Sequence, residues 1–215
     1  MRLDKKDILP IVLIILALII GIQLYPSLPE QIPTHWNSQG EVDGFSSKAF
    51  GVFFFPILTL GIYLLMTFLP LIDPLKKNYE KFIGVYFWLK VVLVAFFLSL
   101  YAFSLAVASG LNLNINYFII PAVSILFILI GTFLPKLKKN WFVGIRTPWT
   151  IHSEKVWDST HKFSGKVFIG VGIISLLSLF FPYHSFVILI TSALLAAILS
   201  FVYSYFAFRK IGEDK

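Results

Sequence analysis

Residue types that could do chemistry are few in this chain, and they fall in two polar stretches. In residues 140–166, His152, Asp158 and His161 could transfer protons or hold a metal, and the last two are spaced to share one helical turn. No glutamate-flanked His pair, Gly-x-Ser-x-Gly elbow, phosphate-binding glycine loop or Cys pair accompanies them, so they read as surface hydrogen-bonding groups. In residues 26–48, His35, Glu41 and Asp43 offer imidazole and carboxylates that suit zinc. Their spacing enforces no ligand set, and hydrogen bonding within the loop is the expected role. The absence of Cys removes disulfides, thiolate metal sites and Cys nucleophiles. No catalytic residue, metal or cofactor is assigned.

Everything around these stretches is apolar. The 215 residues are 58% hydrophobic and 13% charged, with mean hydropathy +0.84, more apolar than one soluble core could hide. Six runs approach or exceed the roughly 20 residues needed to cross a bilayer, near residues 8–25, 49–72, 91–109, 117–134, 167–181 and 185–208. No small-x-small cleavage site follows the first run, so it is expected to be a retained span. The reading is an all-α, multi-pass plasma membrane protein with six transmembrane helices.

The formal charge of +7 suggests anionic membrane lipid rather than nucleic acid as partner, because the basic residues alternate between loops. With both termini cytoplasmic, every basic residue except Lys48 and Lys90 falls on the inner side. Lys90 is expected to snorkel to water at the inner end of the third span. Residues 1–110 and 111–215 each hold three spans, with an outer loop at 26–48 and an inner loop at 135–166. This organisation within one membrane domain is what a 3+3 inverted repeat would give.

Outer-loop residues Pro33, His35, Trp36, Asn37, Gly40, Asp43 and Lys48 are the expected ligand-facing set. Three prolines (Pro26, Pro29 and Pro33) exclude a regular helix before Trp36, and Asn37 to Gly40 and Asp43-Gly44 are turn formers, giving a compact cap. Inner-loop residues Trp141, Gly144, Arg146, Thr147, Pro148, Trp149, Trp157 and His161 are the expected partner-binding set. Pro148 holds Thr147 extended, and the planar fork of Arg146 can reach lipid phosphate or a carboxylate. Ser153 should cap a short surface helix that stops at Gly165, ahead of the fifth span.

Two motifs carry a family resemblance. The inner W-F-V-G-I-R-T-P-W-T (residues 141–150) followed by V-W-D-S-T-H-K-F-S-G-K (residues 156–166) closely resembles the signature of the SdpI family of bacterial immunity membrane proteins. The outer L-P-E-Q-I-P-T-H-W-N-S-Q-G-E-V-D-G-F-S-S-K (residues 28–48) is similar to the small domain of unknown function that often forms the amino-terminal part of such proteins. The resemblance implies protection, by binding rather than catalysis, against a membrane-active peptide toxin on the outer face. It also implies capture of a cytosolic transcriptional repressor on the inner face.

Two other classes compete. A secondary transporter or exporter of a small solute or peptide would suit an inverted repeat with helices broken at Pro56 and Pro121, but no paired intramembrane charges are evident. A membrane-embedded enzyme would rest on His152, Asp158 and His161 alone.

Overall fold

The computed structural model describes residues 5–213. Arg2 and Lys215, which entered the charge argument, lie outside the described residues. Among those described, six helices are long and apolar enough to cross a membrane, as the hydropathy predicts. The chain divides into two compact units, residues 1–68 with 90–119 and residues 69–89 with 120–215.

In the first unit, α1 (Ile8–Leu24) begins after Asp7 and carries Pro10 in its first turn, where a missing N–H is tolerated. It gives way to a 3-10 turn at Tyr25–Ser27, where Pro26 cannot donate to the helix. The segment expected to be an irregular cap then forms an antiparallel hairpin, β1 (Gln31–Trp36) and β2 (Val42–Ser47). Asn37 makes the turn, its Oδ1 accepting the backbone N–H groups of Gln39 and Glu41, each at 3.0 Å. Gly40 closes it at φ +85°, and a Cβ there would collide with the Asn114 side chain.

The hairpin is seated on the helices. Asn114 and Asn116 donate their side-chain amides to the carbonyls of Gln39 and Ser38 at 3.2 and 3.0 Å. Beneath the strands, Leu28 and Ile32 share a core with Ala17, Val52, Tyr101, Leu105 and Ala108. Sequence patterning had excluded helix here but did not reveal the strands, because six-residue strands with two register irregularities show little clean alternation.

Pro56 and Pro121 do not break their helices, which corrects the sequence expectation: α2 (Lys48–Ile72) and α4 (Asn116–Phe133) run through them. Transmembrane helices tolerate Pro where neighbouring groups re-satisfy the freed carbonyl.

A second correction concerns Lys90. It lies inside α3 (Ile83–Ala108), 1% exposed, with Nζ 2.8 Å from Asp7 Oδ1 and 3.3 Å from Thr67 Oγ1. Tyr63 donates its hydroxyl to the same Asp7 oxygen at 2.7 Å, and its ring lies 4.9 Å from the ammonium. An ammonium with these partners has no need to reach water. The first unit therefore does contain a buried ion pair among its helices.

In the second unit, α4 is followed by an irregular loop, the short α5 (Pro148–His152), then α6 (Glu154–Leu177) and α7 (Ser185–Glu213). The expected helix stop at Gly165 is a third correction, since α6 continues unbroken. Gly165 is instead a packing residue: a Cβ there would sit 2.8 Å from the Gly131 carbonyl oxygen, and one at Gly131 would sit 2.7 Å from the Gly165 carbonyl oxygen. Small residues let apolar helices approach this closely, and van der Waals contact then holds them. Across α6 and α7, Phe163 stacks on Tyr203 at 4.0 Å, and the Ser175 and Ser192 hydroxyls are 3.2 Å apart.

Candidate functional site

The loop between α4 and α6 is built around two buried side chains that pair its backbone in place of a ladder. Asn140, fully buried, accepts on Oδ1 from the N–H groups of Phe142 and Val143 at 2.9 and 2.7 Å. Its amide donates to the carbonyls of Lys138 and Val143, both at 2.9 Å. Asp73, 2% exposed, accepts the Trp141 N–H at 2.9 Å and the Tyr79 hydroxyl at 3.0 Å on Oδ2, while Oδ1 accepts the Leu75 N–H at 2.7 Å. Asn78 adds a bond from its side-chain amide to the Lys139 carbonyl at 2.8 Å. A loop whose polar groups are met in this way can stay ordered at the end of a helix bundle.

Gly144, His161 and Trp157 come together as a second layer. His161 is fully buried, donates Nδ1–H to the Trp157 carbonyl at 2.8 Å and accepts the Ile145 N–H on Nε2 at 3.0 Å. These two bonds fix the neutral Nδ1–H tautomer. The imidazole stacks on Trp157 at 4.1 Å, and the indole N–H donates to the Leu137 carbonyl at 2.9 Å. Gly144 sits over this stack at φ +117°, where a Cβ would collide with His161 Nε2 and approach Trp157 within 3.2 Å.

Thr147 and Pro148 start α5. Thr147 accepts the Thr150 N–H at 3.2 Å and donates its own N–H to Thr150 Oγ1 at 2.8 Å, a reciprocal capping box with Thr in the usual Glu position. Trp149 packs edge-on to Phe201 and Tyr205 of α7.

Three of the expected residues, Trp141, Arg146 and Pro148, are left facing out. Trp141 is 47% exposed, and exposed Arg146 donates Nη1–H to the Trp141 carbonyl at 2.7 Å. One bond anchors the guanidinium and leaves the rest of its fork to solvent. Arg146 thus has a fixed position and free donors.

The groups considered for proton transfer are not brought together. His161 is spent on the loop, Asp158 pairs with Lys138 at 3.3 Å, and His152 is exposed with its ring edge-on to Phe208.

On the hairpin, the His35 imidazole bonds to Asp43, both are exposed, and Asn37 donates to Glu41 at 3.0 Å. Pro33, Gly40 and Lys48 are buried, and Trp36 is half-buried edge-on to Phe103. Lys48 pins the hairpin base, paired with Glu30 at 3.0 Å and 5.2 Å from the Tyr25 ring centroid.

Sequence reasoning missed Asp73, Tyr79 and Ser104, which donates to the Pro33 carbonyl at 3.1 Å. The Asp73-Pro74 pair was a turn signal, but its partner lies 68 residues away at Trp141.

Comparison with known proteins follows the same two regions. Residues 12–60, which hold the hairpin, match a domain of unknown function (DUF1648). Residues 136–204, which hold the Asn140 loop with α5, α6 and much of α7, match the SdpI/YfhL protein family. The immunity protein SdpI of Bacillus subtilis (strain 168) is 31% identical over 212 residues, covering 98% of this chain and 100% of the relative. No solved structure matches. Both regions are thus shared, in one order along one chain, and the protein belongs to the SdpI/YfhL family.

Proposed function

We propose that this chain is a plasma membrane immunity and signalling protein that protects the cell making it from a membrane-active peptide toxin, by binding and not by catalysis. The observation that carries the reading is the 31% identity, over nearly the full length of both chains, to a protein named for immunity. The charge distribution supports an orientation with the hairpin outside and the Asn140 loop in the cytoplasm. In that orientation His35 and Asp43 meet the toxin, and Trp141 and Arg146 meet a cytosolic repressor. Toxin must favour one arrangement of the helices over another for the message to cross.

The test is membrane potential in toxin-sensitive cells challenged with a membrane-active immunity-type peptide. Cells expressing the chain should hold their potential and cells without it should not. Equal depolarisation at matched expression, across a panel of such peptides, counts against immunity.

The buried Asp7–Lys90 pair favours one second reading, coupled transport of a small solute, since ionisable pairs inside membranes commonly serve ion pathways. Solute-dependent proton flux in proteoliposomes that is lost in the Asp7→Asn, Lys90→Met double variant would support it. Absence of flux would remove it.

A further inference from the structure

Between the 3-10 turn Lys76–Phe82 and the first turn of α6 lies a cleft of about 150 Å³. Its lining includes Asn78, Lys81, Lys138, Lys139, Glu154 and Asp158. The charges in it are unequally matched. Lys138 is neutralised by Asp158 at 3.3 Å, and Lys81 meets only the amide oxygen of Asn78 at 3.1 Å. Among the described residues no acid pairs with Lys81 or Lys139. Glu154 is the one further carboxylate in the lining.

With three lysines and two carboxylates in its lining, the cleft keeps a net positive charge and two ammonium groups outside any direct ion pair, which favours a compact anion. A cleft of about 150 Å³ admits a compact anion such as a phosphate with its ester oxygens. All the lining residues sit at ends of membrane-length helices, beside the start of α3, the end of α4 and the start of α6. Bilayer phosphates lie at that level, and lysines at helix ends hold them as point charges.

We propose that this cleft binds a phosphate ester through Lys81 and Lys139, a site distinct from the Arg146 surface and independent of the immunity reading. The ester could be carried by a lipid headgroup or by a soluble metabolite, and the chemistry of the site is the same for both.

Native mass spectrometry of the full chain released from detergent, titrated with dimyristoyl phosphatidylglycerol and separately with sn-glycerol 3-phosphate, tests it. Lys81→Gln with Lys139→Gln should weaken binding roughly fivefold per lysine, and so about twenty-five-fold together. Lys76→Gln with Lys77→Gln, exposed on the same turn but outside the cleft, should leave it unchanged. Glu154→Gln should tighten binding, a gain that misfolding cannot mimic. Binding of the lipid alone assigns the bilayer as the source, and comparable binding of glycerol phosphate assigns a soluble ester. Absence of both ligands, or equal losses from the two lysine pairs, overturns the proposal.

Discussion

Lys90 Nζ and Asp7 Oδ1 lie 2.8 Å apart, joining residues 83 positions apart in sequence and clamping the start of α1 to the interior of α3. The pair is 1% and 8% exposed by side chain, and Tyr63 bonds the same carboxylate oxygen. In such surroundings the attraction between two charges roughly offsets their desolvation, but removing one charge strands the other.

Lys90→Met is therefore expected to cost about 3–5 kcal/mol. Asp7→Asn combined with it should recover much of that loss. Thermal unfolding in detergent followed by circular dichroism gives the double-mutant cycle. A Lys90→Met protein as stable as the parent would restore the picture of a lysine that reaches water.

Gly144→Ala puts a methyl group where His161 Nε2 stands, at a φ of +117°. The backbone strain alone is of order 1–3 kcal/mol. The variant should expose the Asn140 loop to limited proteolysis while the helices keep their ellipticity, and an uncut loop would contradict the packing described.

Arg146→Ala and Asn140→Ala should separate recognition from architecture. Arg146 is exposed with one bond to the chain, so its loss should change stability by no more than about 0.5 kcal/mol yet abolish any response that depends on a cytosolic partner. Asn140→Ala leaves several backbone groups unmet, at roughly 1–3 kcal/mol each, so it should lower both stability and function. Signalling by Arg146→Ala equal to the parent's would move the partner contact off this face.

Gly165→Ala should destabilise by about 1–3 kcal/mol through overpacking against the Gly131 carbonyl, whereas Gly170→Ala should be silent because nothing lies within 4 Å of its Cβ position. Paired melting curves decide this. Similar behaviour of the two variants would show that α6 does not depend on the close approach at Gly165.

What the sequence disclosed and what it withheld divide along the range of the interactions. Membrane-length helices follow from hydropathy summed over neighbours, and Ser153 as a cap and an extended Thr147 before Pro148 follow from local chemistry, whereas the short α5 that Thr147 starts is not legible in it. Gly165 carries the same local signal as a helix stop, and only the Gly131 backbone opposite shows it to be a contact. Lys90 reads as a snorkelling cation until Asp7 is brought to it from 83 residues away. Asn140 and Asp73 hold the loop through partners that no local pattern marks.

The stack of His161 on Trp157 has a mechanical consequence. Both rings belong to α6, and the loop is fastened to them through Ile145 and Leu137, so loop and helix share one frame. The same loop is tied to Asp73 and Asn78 outside α6, so any shift of α6 relative to that turn must be taken up by the Trp141 N–H bond to Asp73 and the Asn78 bond to the Lys139 carbonyl. The exposed Trp141 and Arg146 therefore form a preformed surface whose direction is set jointly by α6 and by the turn that carries Asp73.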